Sequence, residues 1–181
     1  MKTVIIGELP PAAVPYFDVV VRIATKHDLE ASHLFAIGER ESRWGMAITK
    51  DGTGDRTPRA GMIPPDGLGF GRGIFQIDWG WHKDWLDTHD WRDVEVNCDY
   101  AASILQHARA FFRAEKRAND DLDPRPLAGD ALDRAFLAAY NAGPTSVLRA
   151  LRRGAQPDAV TTGRDYASFC LRLAERYTSG P

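Results

Sequence analysis

Three carboxylates and a run of glycines carry the chemistry this sequence offers. Glu41 sits within Arg40-Glu41-Ser42-Arg43-Trp44-Gly45, and Asp66 and Asp78 bracket the stretch Gly67-Leu68-Gly69-Phe70-Gly71-Arg72-Gly73-Ile74-Phe75-Gln76-Ile77. Leu34, Ile37, Gly38 and Glu41 fall at i, i+3, i+4 and i+7, which is one face of a helix. A glutamate that continues such a stripe is poorly solvated, which favours its neutral form and raises its pKa. Carboxylates in settings this different can hold opposite protonation states at one pH. Acid-assisted cleavage of a glycosidic bond needs that pair: one acid protonates the leaving oxygen while an ionised partner activates water. The plainer alternative for Glu41 is an ion pair with Arg40 or Arg43, and for either aspartate a helix or turn cap. Asp51 and Asp55 lie in the same segment and compete with Asp66.

The glycine run does not have the spacing of a phosphate cradle. It contains neither GxGxxG opening a helix nor Gly-Lys followed by Ser or Thr. Gly67, Gly69, Gly71 and Gly73 instead strip side chains from a strand-like run, so that its backbone can pass close to another surface. The reading taken here is the floor of a groove shaped for a sugar chain. Ile74 to Asp78 alternates apolar and polar residues, which predicts a short half-buried strand or a tight helical turn.

Four blocks, in order, resemble the goose-type lysozymes and, more distantly, the soluble lytic transglycosylases that share their fold. Arg40-Glu41-Ser42-x-x-Gly45 looks like the catalytic-glutamate motif. Gly69-Phe70-Gly71-x-Gly73-Ile74-Phe75-Gln76-Ile77-Asp78, with His82 after it, looks like the glycine-rich block. Ala139-Tyr140-Asn141-Ala142-Gly143 looks like a substrate-groove motif, and Thr161-Thr162-Gly163-x-Asp165-Tyr166-Ala167 extends the match. The resemblance covers about residues 15–178. It implies a predominantly α (α+β lysozyme-like) fold, with a small irregular or β active-site segment. It also implies a muramidase that cleaves the β-1,4 bond between N-acetylmuramic acid and N-acetylglucosamine with inversion. Glu41 would be the general acid, and Asp78 and Asp66 would hold the attacking water. Ser42, Gln76, His82, Tyr140, Asn141 and Tyr166 would line the saccharide groove, with no metal or cofactor. The stretch from Thr49 to Pro65 departs from the family as an insertion, and the interval from Asp66 to Asp78 is one residue longer than in the family, so Asp78 matches its motif position more closely than Asp66. The rival readings are a lytic transglycosylase, in which Glu41 is both acid and base and the muramic 6-hydroxyl attacks, and a non-catalytic wall-binding module.

The elements that must position these residues are mostly helical. Prolines at 10, 11 and 15 make residues 1–15 an extended lead-in, ahead of a single domain over 16–181. Tyr16 to about His27 reads as a first helix, with Phe17, Val20, Ile23 and Ala24 on one face. The Glu41 helix follows, with Asp28 or Ser32 as its cap and Gly45 as its stop. Residues 46–80 form the irregular segment, with Trp79, Trp81, Trp85 and Trp91 clustered around and beyond its end, one or two of them offered as sugar platforms. Val94 to about Ala118 reads as a long helix buried through Cys98, Ala101, Leu105, Ala108 and Phe112, its far side (Arg109, Arg113, Lys116, Arg117) solvated. Leu132, Ala135, Phe136, Ala139 and Tyr140 trace another helix, with Asn141 just past its stripe, and two more cover about 146–153 and 164–177.

Composition narrows the classes further. The chain has 181 residues, enough for one core without metal or disulfide support. Its 23 basic and 25 acidic residues leave a net −2, which argues against nucleic-acid binding through bulk charge. The partner expected is the peptidoglycan glycan strand, with an inhibitor or immunity protein as a second, and the chain is expected to be a monomer. Cys98 and Cys170 fall on apolar helix faces and read as core thiols, with a disulfide between them as the alternative. Glu8, Pro10 and Pro11 break the N-terminal apolar run, which makes a poor signal peptide. Delivery to the wall through phage lysis, a phage-like particle or specialised secretion is the corresponding expectation.

Overall fold

A computed structural model describes residues 7–47 and 71–179. The fold is predominantly α. Seven helices run in the order α1 (Phe17–Lys26), α2 (Ala31–Ser42), α3 (Trp79–Thr88), α4 (Val94–Arg113), α5 (Gly129–Ala142), α6 (Pro144–Arg152) and α7 (Tyr166–Thr178). Before α3 lies one antiparallel hairpin, β1 (Gly71–Arg72) paired with β2 (Ile77–Asp78), in the register Gly71 opposite Asp78 and Arg72 opposite Ile77. No helix among the described residues is long and apolar enough to cross a membrane.

The central helix is α2. Ala31 through Gly38 are all buried, so this element is apolar around most of its circumference, and it packs most extensively on α7. Its start differs from expectation. Neither Asp28 nor Ser32 caps it: Glu30 occupies the N-cap position without a side-chain cap bond, and Ser32 is buried inside the first turn. Asp28 instead takes a left-handed backbone conformation and pairs with Arg109, Oδ2 to Nη2 at 2.8 Å, so Arg109 is not part of a purely solvated face. At its C-terminal end Arg43, Trp44 and Gly45 all have positive φ, and this left-handed run turns the Trp44 indole back over the helix. Gly38 is small for that reason: a Cβ there would lie 2.7 Å from the Trp44 ring. Trp44 in turn stacks on Tyr16 (ring centroids 5.8 Å apart) and meets Phe35 at 5.6 Å and Phe75 at 5.9 Å, which anchors the hairpin to the core.

α5 lies against α4, α6 and α7, with Phe136 and Leu137 fully buried. α4 stops at Arg113, not Ala118, although the residues beyond are good helix formers. Its last carbonyls have tertiary partners: Leu127 N donates to Phe112 O at 2.8 Å, and Arg125 Nη1 donates to Phe111 O at 3.0 Å. Residues 114 onward also have no apolar face to bury. By sequence, residues 79 and 80 fall in the irregular segment and no helix is assigned to 81–88, where the aromatics obscure any period. α3 exists because Asp78 caps it and Trp85 stacks on Tyr100 of α4, centroids 3.8 Å apart. The lead-in is tied down where described, with Gly7 N donating to Tyr177 O at 2.6 Å. Cys98 and Cys170 are both buried free thiols, not a disulfide, and burial pushes both well above the usual thiol range.

Candidate active site

Glu41 lies one residue from the end of α2, partly buried. The Tyr166 hydroxyl, at the start of α7, donates to its Oε1 in a short hydrogen bond. The Tyr166 ring stacks on that of Tyr140 at the end of α5, centroids 6.5 Å apart and planes 19° apart. The Tyr140 hydroxyl then donates to Phe75 O at 2.7 Å, inside the hairpin. Withdrawal from solvent, reinforced by the negative charge of Glu41, holds both phenols well above the usual tyrosine range, so each stays a donor. One residue earlier in the hairpin, Ile74 O accepts from Ser42 Oγ at 2.7 Å, and Ser42 Oγ itself accepts from Gly45 N at 2.8 Å. Two successive hairpin carbonyls are thus held, one by α2 and one by α5.

Several expected groove residues turn out to be scaffolding. Ser42 is 1 % exposed and Tyr166 is 2 % exposed, so neither lines a groove: Ser42 fastens the hairpin and Tyr166 stands behind Glu41. The ion pair proposed between Glu41 and Arg40 is not what Arg40 makes. Its guanidinium donates to Asp165 at 2.7 Å and lies over the rings of Tyr166 and Phe169, which braces the start of α7. Gln76 has φ of 48° and folds back, with Nε2 donating to Gly73 O at 2.9 Å.

The two described glycines of the run, Gly71 and Gly73, are accounted for by contacts within the protein. A Cβ on Gly71 would sit 2.2 Å from Gln76 Oε1, and one on Gly73 would sit 2.5 Å from the Asn97 side chain. Gly73 also has φ of 72°, which few other residues tolerate. Gly67 and Gly69 lie outside the described residues, as do Asp66, Asp51 and Asp55.

Sequence reasoning missed Asn97. It is 1 % exposed on α4 and clamps the hairpin loop from beneath, with Oδ1 accepting from Phe75 N at 2.9 Å and Nδ2 donating to Arg72 O at 3.2 Å. Its place in the apolar stripe of α4, four residues before Ala101, was the available signal, because a buried amide must find partners.

Asp78 occupies the N-cap position of α3, with Oδ1 accepting from Gly80 N at 2.6 Å. The capping alternative is therefore realised. Among the described residues Oδ2 has no hydrogen-bond partner, which leaves one carboxylate oxygen for a water. Arg72 lies within electrostatic reach: burial lowers its pKa, and the attraction of Asp78 opposes that shift. His82, one turn on, bonds the Tyr100 hydroxyl through Nδ1 at 3.0 Å. Burial holds its imidazole below the usual value, again opposed by Asp78. Asn141 is exposed beyond Tyr140, with Oδ1 accepting from Thr162 N at 2.8 Å, so it bridges to the following loop and keeps its amide N–H groups uncommitted among the described residues. The elements bearing Glu41, Tyr140, Asn141, Tyr166, Gln76 and Asp78 are in this way joined through one hairpin. No group of His, Cys, Asp and Glu among the described residues could hold a metal ion. No protein-family model matches this chain, and no curated protein matches it either.

Proposed function

We propose that this chain is a peptidoglycan hydrolase, a muramidase of lysozyme-like fold that cleaves the β-1,4 bond between N-acetylmuramic acid and N-acetylglucosamine. The observation that carries the reading is the path from Glu41 by a hydrogen bond to Tyr166, by a ring stack to Tyr140 and by a second hydrogen bond to the hairpin that ends in Asp78. In this mechanism Glu41 gives its proton to the glycosidic oxygen as the bond to the anomeric carbon breaks. Water held at Asp78 Oδ2 adds to the opposite face of that carbon and passes its proton to the carboxylate, which gives inversion. Asp66 is the second water-holding acid in this proposal. Asn141 presents its free amide to an N-acetyl carbonyl, and Tyr166 fixes the rotamer of Glu41.

One observation favours a second reading. Asp78 already spends an oxygen on capping α3, and a lytic transglycosylase needs no aspartate base. There Glu41 protonates the leaving oxygen and then takes the proton of the muramic 6-hydroxyl as it closes an anhydro ring. Mass spectra of the released fragments separate the two, since hydrolysis adds one water per cut and transglycosylation adds none.

The decisive variant is Glu41→Gln, which keeps the side-chain shape and removes the acid. Its activity on purified peptidoglycan should fall by about 10²–10⁴-fold. Near wild-type turnover by this variant would end both enzymatic readings.

A further inference from the structure

We infer that Trp81 is a stacking platform for a pyranose ring of the glycan, forming a binding subsite beside Asp78. The inference rests on the hydrolase reading above and adds a residue that reading does not use.

Trp81 is 86 % exposed, while every other described tryptophan is engaged. Trp44 and Trp91 are buried, Trp79 has the Lys83 ammonium 4.8 Å above its ring, and Trp85 lies between Tyr100 and His89 at 3.8 and 4.8 Å. The indole of Trp81 meets no other ring or cation among the described residues. The broad apolar face of this indole is left in water, open to a flat ligand.

Its position is specific. Asp78 is the N-cap of α3 and Trp81 is the third residue of that helix, the same pair of positions that touch in a capping box. α3 kinks at His82 (φ −123°, ψ 25°); His82 and Trp85 meet Tyr100, while Trp81, three residues beyond Asp78, stays in solvent.

The chemistry around the ring selects the ligand. The face of an aromatic ring is electronegative and attracts the C–H-rich face of a sugar, with the hydroxyls left free at the rim. Nucleobases also stack on tryptophan, but their phosphates need a basic groove. Here the neighbours along α3 are Asp78, Asp84 and Asp87, and Lys83 is already paired with Asp87. An uncharged ring fits this setting and a polyanion does not.

The test uses the full chain carrying Glu41→Gln, so that the probe, a hexamer of N-acetylglucosamine, stays intact. Adding Trp81→Ala should weaken hexamer binding measured calorimetrically by about tenfold, and Trp81→Phe should recover most of it. The hexamer should also shift the tryptophan emission to shorter wavelength, and the shift should vanish in Trp81→Ala. Because the ring packs on nothing described, the melting temperature should not change. In the otherwise native chain Trp81→Ala should raise KM for peptidoglycan and spare kcat. Equal hexamer affinity with and without the indole, or no binding by the parent protein, overturns the platform. Loss of binding in Trp81→Ala combined with undiminished turnover in Glu41→Gln upholds the platform and removes the hydrolase reading.

Discussion

At the scale of single residues, one oxygen of Glu41 is committed to the protein. Oε1 accepts from Tyr166, whose phenol is kept protonated by burial and by the carboxylate itself, so the donor is fixed on one side. Tyr166→Phe removes the donor and leaves the ring in its stack with Tyr140. We expect kcat on peptidoglycan to fall about tenfold with KM nearly unchanged, because positioning loss appears in turnover and not in ground-state binding. Steady-state kinetics on soluble glycan fragments would check this, and an unchanged kcat would reduce Tyr166 to a packing residue. Glu41 and Tyr140 can be placed because they continue apolar helical stripes, whereas Asn141, exposed and past its stripe, enters only through the resemblance of its block. The roles of Ser42 and Tyr166 were not legible, since a serine or tyrosine looks the same in sequence whether its hydroxyl meets sugar or a backbone carbonyl.

At the scale of elements, the hairpin is the piece that the rest of the molecule holds in place. Ser42 grips Ile74, Tyr140 grips Phe75, Asn97 supports Arg72 and Phe75, and Trp44 packs on the Phe75 ring. Asn97→Ala would strand the buried N–H of Phe75 and the carbonyl of Arg72. The cost should be about 1–3 kcal/mol in chemical denaturation, with a larger fractional loss of activity than of stability, since the hairpin leads directly into Asp78. Activity preserved in a destabilised variant would show that the clamp serves folding alone. The periodic helices α1, α4 and α5 could be read from spacing because each buries one continuous stripe. The short α3 could not, because a tertiary stack on Tyr100 and an aspartate cap, not an internal pattern, make it a helix. The end of α4 was misplaced for a related reason: the groups that take up its final carbonyls, Arg125 and Leu127, come from more than ten residues beyond.

At the scale of the whole molecule, one buried ionic cluster joins the connection between α4 and α5 to α6. Asp123 accepts from the Arg125 backbone N–H at 3.0 Å and from Nη2 of that guanidinium at 2.7 Å, with Arg152 of α6 at 3.7 Å. Arg152 also bonds Asp120. The Arg125 hydrogen bonds hold the Asp123 carboxyl at about 2, below its ordinary 3.8. A depressed folded-state pKa means that this contribution to stability is fully present above about pH 4, near the unfolded pKa, and is lost as pH falls through the folded value near 2. Asp123→Asn should therefore cost roughly 2–3 kcal/mol at pH 7, and the gap from the parent protein should close as pH approaches 2. Urea titrations across that range would read it, and a gap independent of pH would assign the loss to shape and not to charge.

The two free thiols give the molecule an internal clock. Cys98 and Cys170 sit on α4 and α7, each fully shielded and each reluctant to ionise, so an alkylating reagent finds no thiolate while the helices stay together. Their capture then times the moments when the packed bundle comes apart, at one point on either side of α5, without any label having to be introduced.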